Sequence, residues 1–106
     1  MPKYLITATY TAEGARGLLK EGGSGRRDAV KKVLENLGGK LEAFYYAYGD
    51  VDAYVIVDVP TATDGLALGL AVNASGAVRL TTTPLITPEE VDAAAKKTVA
   101  YRAPGA

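Results

Sequence analysis

Gly39–Pro60 (GKLEAFYYAYGDVDAYVIVDVP) constrains this chain more than any other stretch. Two runs, Lys40–Tyr48 and Val51–Val59, flank Gly49-Asp50 and are rich in Tyr and Val. Such residues fit a pleated, half-buried surface, so each run reads as a strand. Gly49 admits a positive φ, and the expectation is a two-residue hairpin loop of type II′. An isolated two-stranded hairpin is marginal in water. This one therefore belongs to a larger sheet or lies under a helix layer.

The rest of the chain supplies both. Lys3–Tyr10 alternates, with Tyr4, Ile6, Ala8 and Tyr10 on the face expected to be buried. Thr11–Glu21 contains Gly14 and Gly17. The expectation there is a short helical turn around Leu18 and Leu19, since glycine disfavours a long helix. Gly22-Gly23-Ser24-Gly25 is a break. Ser24 is the candidate cap for a helix over about 25–37, with an apolar stripe of Ala29, Val30, Val33, Leu34 and Leu37. Gly38 stands where a helix ends in a left-handed residue.

Beyond the hairpin, Thr61-Ala62-Thr63-Asp64 resembles a capping box and starts a helix running to about Ala74. Its apolar residues include Leu66, Leu70 and several alanines. Gly65, Gly69 and Asn73, at i, i+4 and i+8, form a narrow stripe for close packing. Ala77–Ile86 is a strand, and Pro84 sends it to a sheet edge or a bulge. Thr87-Pro88-Glu89-Glu90 combines a Thr cap, a first-position Pro and a third-position Glu, so a short helix over about 88–98 follows. Val99–Ala106 has no regular pattern and reads as a tail.

The order β-α-β-β-α-β plus a last helix is the ferredoxin-like α+β arrangement. It implies a four-stranded antiparallel sheet in the order 4-1-3-2, with the two main helices on one face. At 106 residues the chain is expected to be one domain, with residues 3–98 as core and 99–106 as the tail. If the hairpin loop has an even number of residues, the other face carries Leu5, Thr7, Thr9, Ala43, Tyr45, Ala47, Asp52, Tyr54, Ile56, Asp58, Arg79, Thr81 and Thr83. So large a mixed apolar face is rarely left bare, and a homo-oligomer, a two-fold dimer or higher, is expected to cover it.

Composition removes several kinds of function. Twelve acidic and twelve basic residues leave no basic excess, so nucleic acid is not an expected partner. No apolar run reaches the roughly 18–20 residues of a membrane span, and the N-terminus lacks a signal-peptide pattern, so a cytoplasmic location and no membrane partner are expected. The chain has no Cys and no His. Zinc-thiolate sites, thiol nucleophiles, His-dependent triads and His-ligated haem are excluded, and neither a metal nor a cofactor is expected.

What remains is carried by Asp, Tyr and Arg. Asp52 and Arg79 lie near the starts of two strands that flank the first. Two strand spacings, about 9.6 Å, separate those strands, and Thr7 or Thr9 lies between. One reading is a ligand site with Arg79 holding an anionic or carbonyl group and Asp52 as base; the other is a structural ion pair. Tyr45 and Tyr54 are candidate walls of a pocket for a small, hydrophobic molecule, or plain interface residues. The candidate ligand residues are thus Thr7, Thr9, Tyr45, Asp52, Tyr54 and Arg79, with Asp52, Tyr54 and Arg79 the candidates for any catalysis. Arg26-Arg27 reads as a solvated helix start, because GGSGRR lacks the GK[ST] ending of a phosphate loop.

The chain resembles the GYD-domain proteins, a group of small bacterial and archaeal proteins. The similarity runs through YLITATYTAEGARGLLKEGGSGRR, the hairpin, ASGAVRLTTT and ITPEEVDAAAKK. Gly49 and Asp52 match the namesake motif, and Val51 stands where an aromatic is usual. The resemblance implies a dimeric α/β-barrel form of the ferredoxin-like fold. Related barrels include cofactor-free monooxygenases, haem enzymes and isomerase-like proteins. Three functions stay open: a small-molecule-binding oligomer with its cavity on the open sheet face, a cofactor-independent oxygenase or isomerase, and a purely structural self-assembling subunit.

Overall fold

The computed structural model describes residues 2–106. Its elements are β1 (Lys3–Tyr10), α1 (Ala12–Glu21), α2 (Gly23–Asn36), β2 (Lys40–Tyr46), β3 (Ala53–Asp58), α3 (Ala62–Ala74), β4 (Val78–Leu85) and α4 (Pro88–Ala95). The sheet runs β2-β3-β1-β4 and every neighbouring pair is antiparallel. Counted from the β4 edge, the same row reads 4-1-3-2. Pro84 lies in edge strand β4, where its missing N–H costs no ladder bond.

The first helical segment departs from the expected short turn: α1 spans ten residues. The Thr11 hydroxyl accepts from the Gly14 N–H at 3.2 Å, and the Thr11 N–H donates to the Ala77 carbonyl at 3.0 Å. A Cβ added at Gly14 would run into that same Ala77 carbonyl. Gly14 is therefore a docking point against the turn before β4, not a helix breaker. Ser24 does not cap α2 either. The helix already starts at Gly23, and Gly22, with φ of +85°, makes the joint between the two helices. Gly38 takes the positive φ expected at the end of α2.

The hairpin is shorter in its strands and longer in its loop than expected. Tyr46 pairs with Ala53, so Ala47–Asp52 form a six-residue connection, closed by Ala47 N–H to the Asp52 carbonyl at 2.7 Å. Gly49 has no positive φ, and the type II′ turn is absent. The loop remains even, so Tyr45 pairs with Tyr54 on the open face. A bulge lies between Leu41 and Ala43. Leu41 and Phe44 both pack on the core, which an unbroken period-2 strand forbids. One extra residue in β2 reconciles them.

The core lies between the sheet and its helices: Ile6, Val55, Val57 and Val59 from the strand side, Leu34 from α2 and Leu68 from α3. Leu66 and Leu70 are exposed. The Gly65, Gly69 and Asn73 stripe faces the sheet, with Tyr4 and Val59 beside Gly65, and Leu68 and Val72 share its helical face. Leu66 and Leu70 are rotated away. The Asn73 side-chain oxygen also accepts from the Leu80 N–H at 2.7 Å, which ties α3 to β4.

At the far end of β3, Asp58 is 3% exposed and receives Lys3 Nζ at 3.0 and 3.1 Å. Helix α4 has the expected capping box on Thr87 and Glu90, but ends at Ala95. All its residues are exposed, as is the 96–106 tail. The molecule measures 57 × 33 × 23 Å, with a radius of gyration of 17.1 Å. A compact chain of this length has about 13 Å. The α4 segment and tail thus form an arm outside the body.

Candidate functional site

The structure opens on the helix side of the sheet. An inner chamber of 80 Å³ lies among side chains of β1, α2, β2, β3, α3 and β4, including Ile6, Ala8, Val30, Phe44, Ala53 and Val55. An outer cleft of 560 Å³ lies against α1, with Glu13, Gly14, Gly17, Leu18 and Glu21 on that wall. Tyr10, Arg26, Val33, Leu68, Val72 and Val78 line both, so the two spaces are continuous. The alanines of the sheet and the glycines of α1 leave this room, because they supply no side chain long enough to fill it.

Three polar side chains cluster near this junction: Tyr10 and Arg26 line both spaces, and Tyr46 lies beside them, outside either lining. Tyr10 ends the buried face of β1. Tyr46 ends β2 on the same side, and its hydroxyl donates to the Gly23 carbonyl at 3.0 Å. Its ring packs 5.0 Å from that of Phe44. The third, Arg26, is half-buried rather than solvated. It stands close enough to act electrostatically on both phenols. Burial, reinforced by Tyr46, pushes the Tyr10 phenol up to about 12, and burial also raises Tyr46. At neutral pH both are therefore neutral hydroxyls. Among the described residues Arg26 forms no ion pair.

Asp52 has a different role from the one its sequence position suggests. Its Oδ2 accepts from the Tyr10 backbone N–H at 2.8 Å, while its own N–H donates to the Ala8 carbonyl at 2.9 Å. It extends the β1–β3 ladder by one side chain and holds the end of β1 that carries Tyr10. Among the described residues no ion pair joins it to Arg79. Arg79 is exposed and sits opposite Thr9, and Thr7 lies between Tyr54 and Thr81. Tyr45 and Tyr54 form a cross-strand pair, 72% and 44% exposed. Thr7, Thr9, Tyr45, Tyr54 and Arg79 thus share the open face as expected, but line neither chamber nor cleft.

Sequence reasoning missed Tyr10, Tyr46 and Arg26 as a group. The signal was present for Arg26: it precedes Val30 and Val33 by four and seven residues, on the same helical stripe. Read as part of that stripe it belongs inside. The two tyrosines come from strands that are not neighbours, so only the sheet order joins them.

A four-stranded antiparallel sheet with helices on one face defines a small α+β domain. The chain belongs to the GYD domain family, whose family model matches residues 4–95. No curated protein and no solved structure matches it. Among the described residues no group of acidic side chains is placed to hold a metal ion, and no helix is long and apolar enough to cross a membrane.

Proposed function

We propose that this chain is a self-associating domain that binds a small molecule in the pocket under its helices. The observation that carries the reading is the pair Tyr10 and Arg26 in the lining of an otherwise apolar chamber. An apolar cavity with a few directed polar groups is the usual form of a ligand site. The chamber lining includes no carboxylate, and its phenol is neutral at physiological pH, so the chemistry on offer is recognition and not proton abstraction. Asp52 serves this site indirectly, by holding the strand end on which Tyr10 stands.

The open face has its own part in the proposal. Tyr45, Tyr54, Ile56 and Leu5 form a surface better suited to a second copy than to water. A two-fold pairing of sheet on sheet covers it. Arg79, Thr7 and Thr9 then become interface residues.

The test is methyl NMR of the valines with 1-butanol as a small probe. Binding in the pocket shifts Val30, Val33 and Val72, and leaves the open-face residue Ile56 unmoved. Ala53→Leu, which fills the chamber from β3, abolishes the shifts; Val72→Phe does the same from α3. Shifts confined to the open face, or equal shifts in both filled variants, refute the pocket.

A further inference from the structure

The shape and charge of the same pocket narrow its ligand further. We propose that it takes a short aliphatic monocarboxylate, its chain in the inner chamber and its carboxylate at Arg26 beside Tyr10. This rests on the pocket reading above and adds the ligand class to it.

Volume limits the chain. The chamber offers 80 Å³. An apolar cavity that binds benzene is about 150 Å³, so an aromatic ring does not fit without displacement. Scaled by that case, six ring carbons in about 150 Å³, the chamber takes about three carbons. With the carboxyl carbon at the neck, the acid has about four or five carbons in total.

Charge limits the head. Arg26 is half-buried, lines both spaces and has no acidic partner among the described residues. A guanidinium beside apolar walls gains from a carboxylate, which it can hold through two parallel N–H donors. The Tyr46 hydroxyl is committed to the Gly23 carbonyl, which leaves the head group to Arg26. Glu13 and Glu21 line the outer cleft. They disfavour an anion with a second charge outside the neck, so dicarboxylates and phosphate are rejected.

Isothermal titration of the full chain with acetate, butyrate, isovalerate, octanoate, succinate, inorganic phosphate and 1-butanol tests this. Butyrate and isovalerate should bind about tenfold tighter than acetate, as two or more extra buried carbons require. They should also exceed octanoate, succinate, phosphate and 1-butanol. Arg26→Gln should weaken butyrate about tenfold and leave 1-butanol unchanged; Arg26→Lys, a milder change, should fall between. If 1-butanol shifts the pocket valines but butyrate binds no tighter, the carboxylate class is wrong and the pocket stands. If no probe shifts the valines, both readings fall. Equal butyrate affinity in wild type and both Arg26 variants overturns the proposed head-group contact.

Discussion

The two faces of this sheet are made from strands of similar composition and have opposite fates. On the helix side, Ile6, Val55 and Val57 are closed off by α2 and α3. On the other side Tyr45 and Tyr54 are exposed although they are larger than any of these valines. Burial here depends on what crosses over each face, because the pleat alone sends residues both ways. The helix side also contains the pocket, while the open side carries a broad surface without one of the cavities described. The two proposed tasks divide along the same line, recognition of a small molecule under the helices and pairing of the open face with a copy.

The largest effect should follow from weakening the covered face. Leu34 is wholly buried, and Leu34→Ala should cost about 2–5 kcal/mol in denaturant unfolding. A cost below about 1 kcal/mol would mean that α2 is not held on the sheet as described. Next comes Asp52. Asp52→Ala removes a charge-assisted bond to the Tyr10 N–H and should cost about 1.5–3 kcal/mol, whereas Arg79→Ala should change monomer stability by no more than about 0.5 kcal/mol. Equal and non-additive losses in the two singles and the double would restore the ion pair between them.

The open face is tested by association. Tyr45→Lys with Tyr54→Lys should weaken self-association at least about tenfold in analytical ultracentrifugation, with the far-UV circular dichroism retained. Wild-type protein that sediments as a monomer would remove the second copy from the account. The smallest effect is on alkaline stability. The Tyr10 phenol is raised from 10.0 to about 12 by burial, so between those values the unfolded chain loses this proton and the folded chain keeps it. The stabilisation is fully present below pH 10 and is lost as the pH rises to about 12. Tyr10→Phe should flatten that part of the stability curve, and an unchanged slope would place Tyr10 in water.

Much of the fold was legible from the chain. The alternation of Lys3–Tyr10 placed Ile6 and Ala8 on the core face, Thr61 and Thr87 marked their helices, and Pro84 marked an edge. These are local signals, because caps, pleats and missing donors act within a few residues. The errors are equally specific. Gly14 and Gly17 argued against α1, but the Thr11 cap and the contact with Ala77 outweigh glycine's intrinsic cost. Leu68, which the reading did not single out, enters the core because the small residues of α3 determine which face approaches the sheet.

For the site the balance shifts. The six open-face candidates were placed correctly on the sheet, apart from Asp52, whose carboxylate turns to the Tyr10 backbone. The pocket lay on the opposite side. Tyr10, Arg26 and Tyr46 are 16 and 20 residues apart in sequence, and they come from β1, α2 and β2, with β3 lying between the two strands. The sequence by itself determined the presence of four strands, the starts of α3 and α4 and the absence of His and Cys chemistry, since each depends on near neighbours or on composition. Only the tertiary structure decided which face was covered, where a chamber remained and which polar groups met at its neck. Those outcomes depend on how several elements fill space together, and no short stretch of chain contains that information.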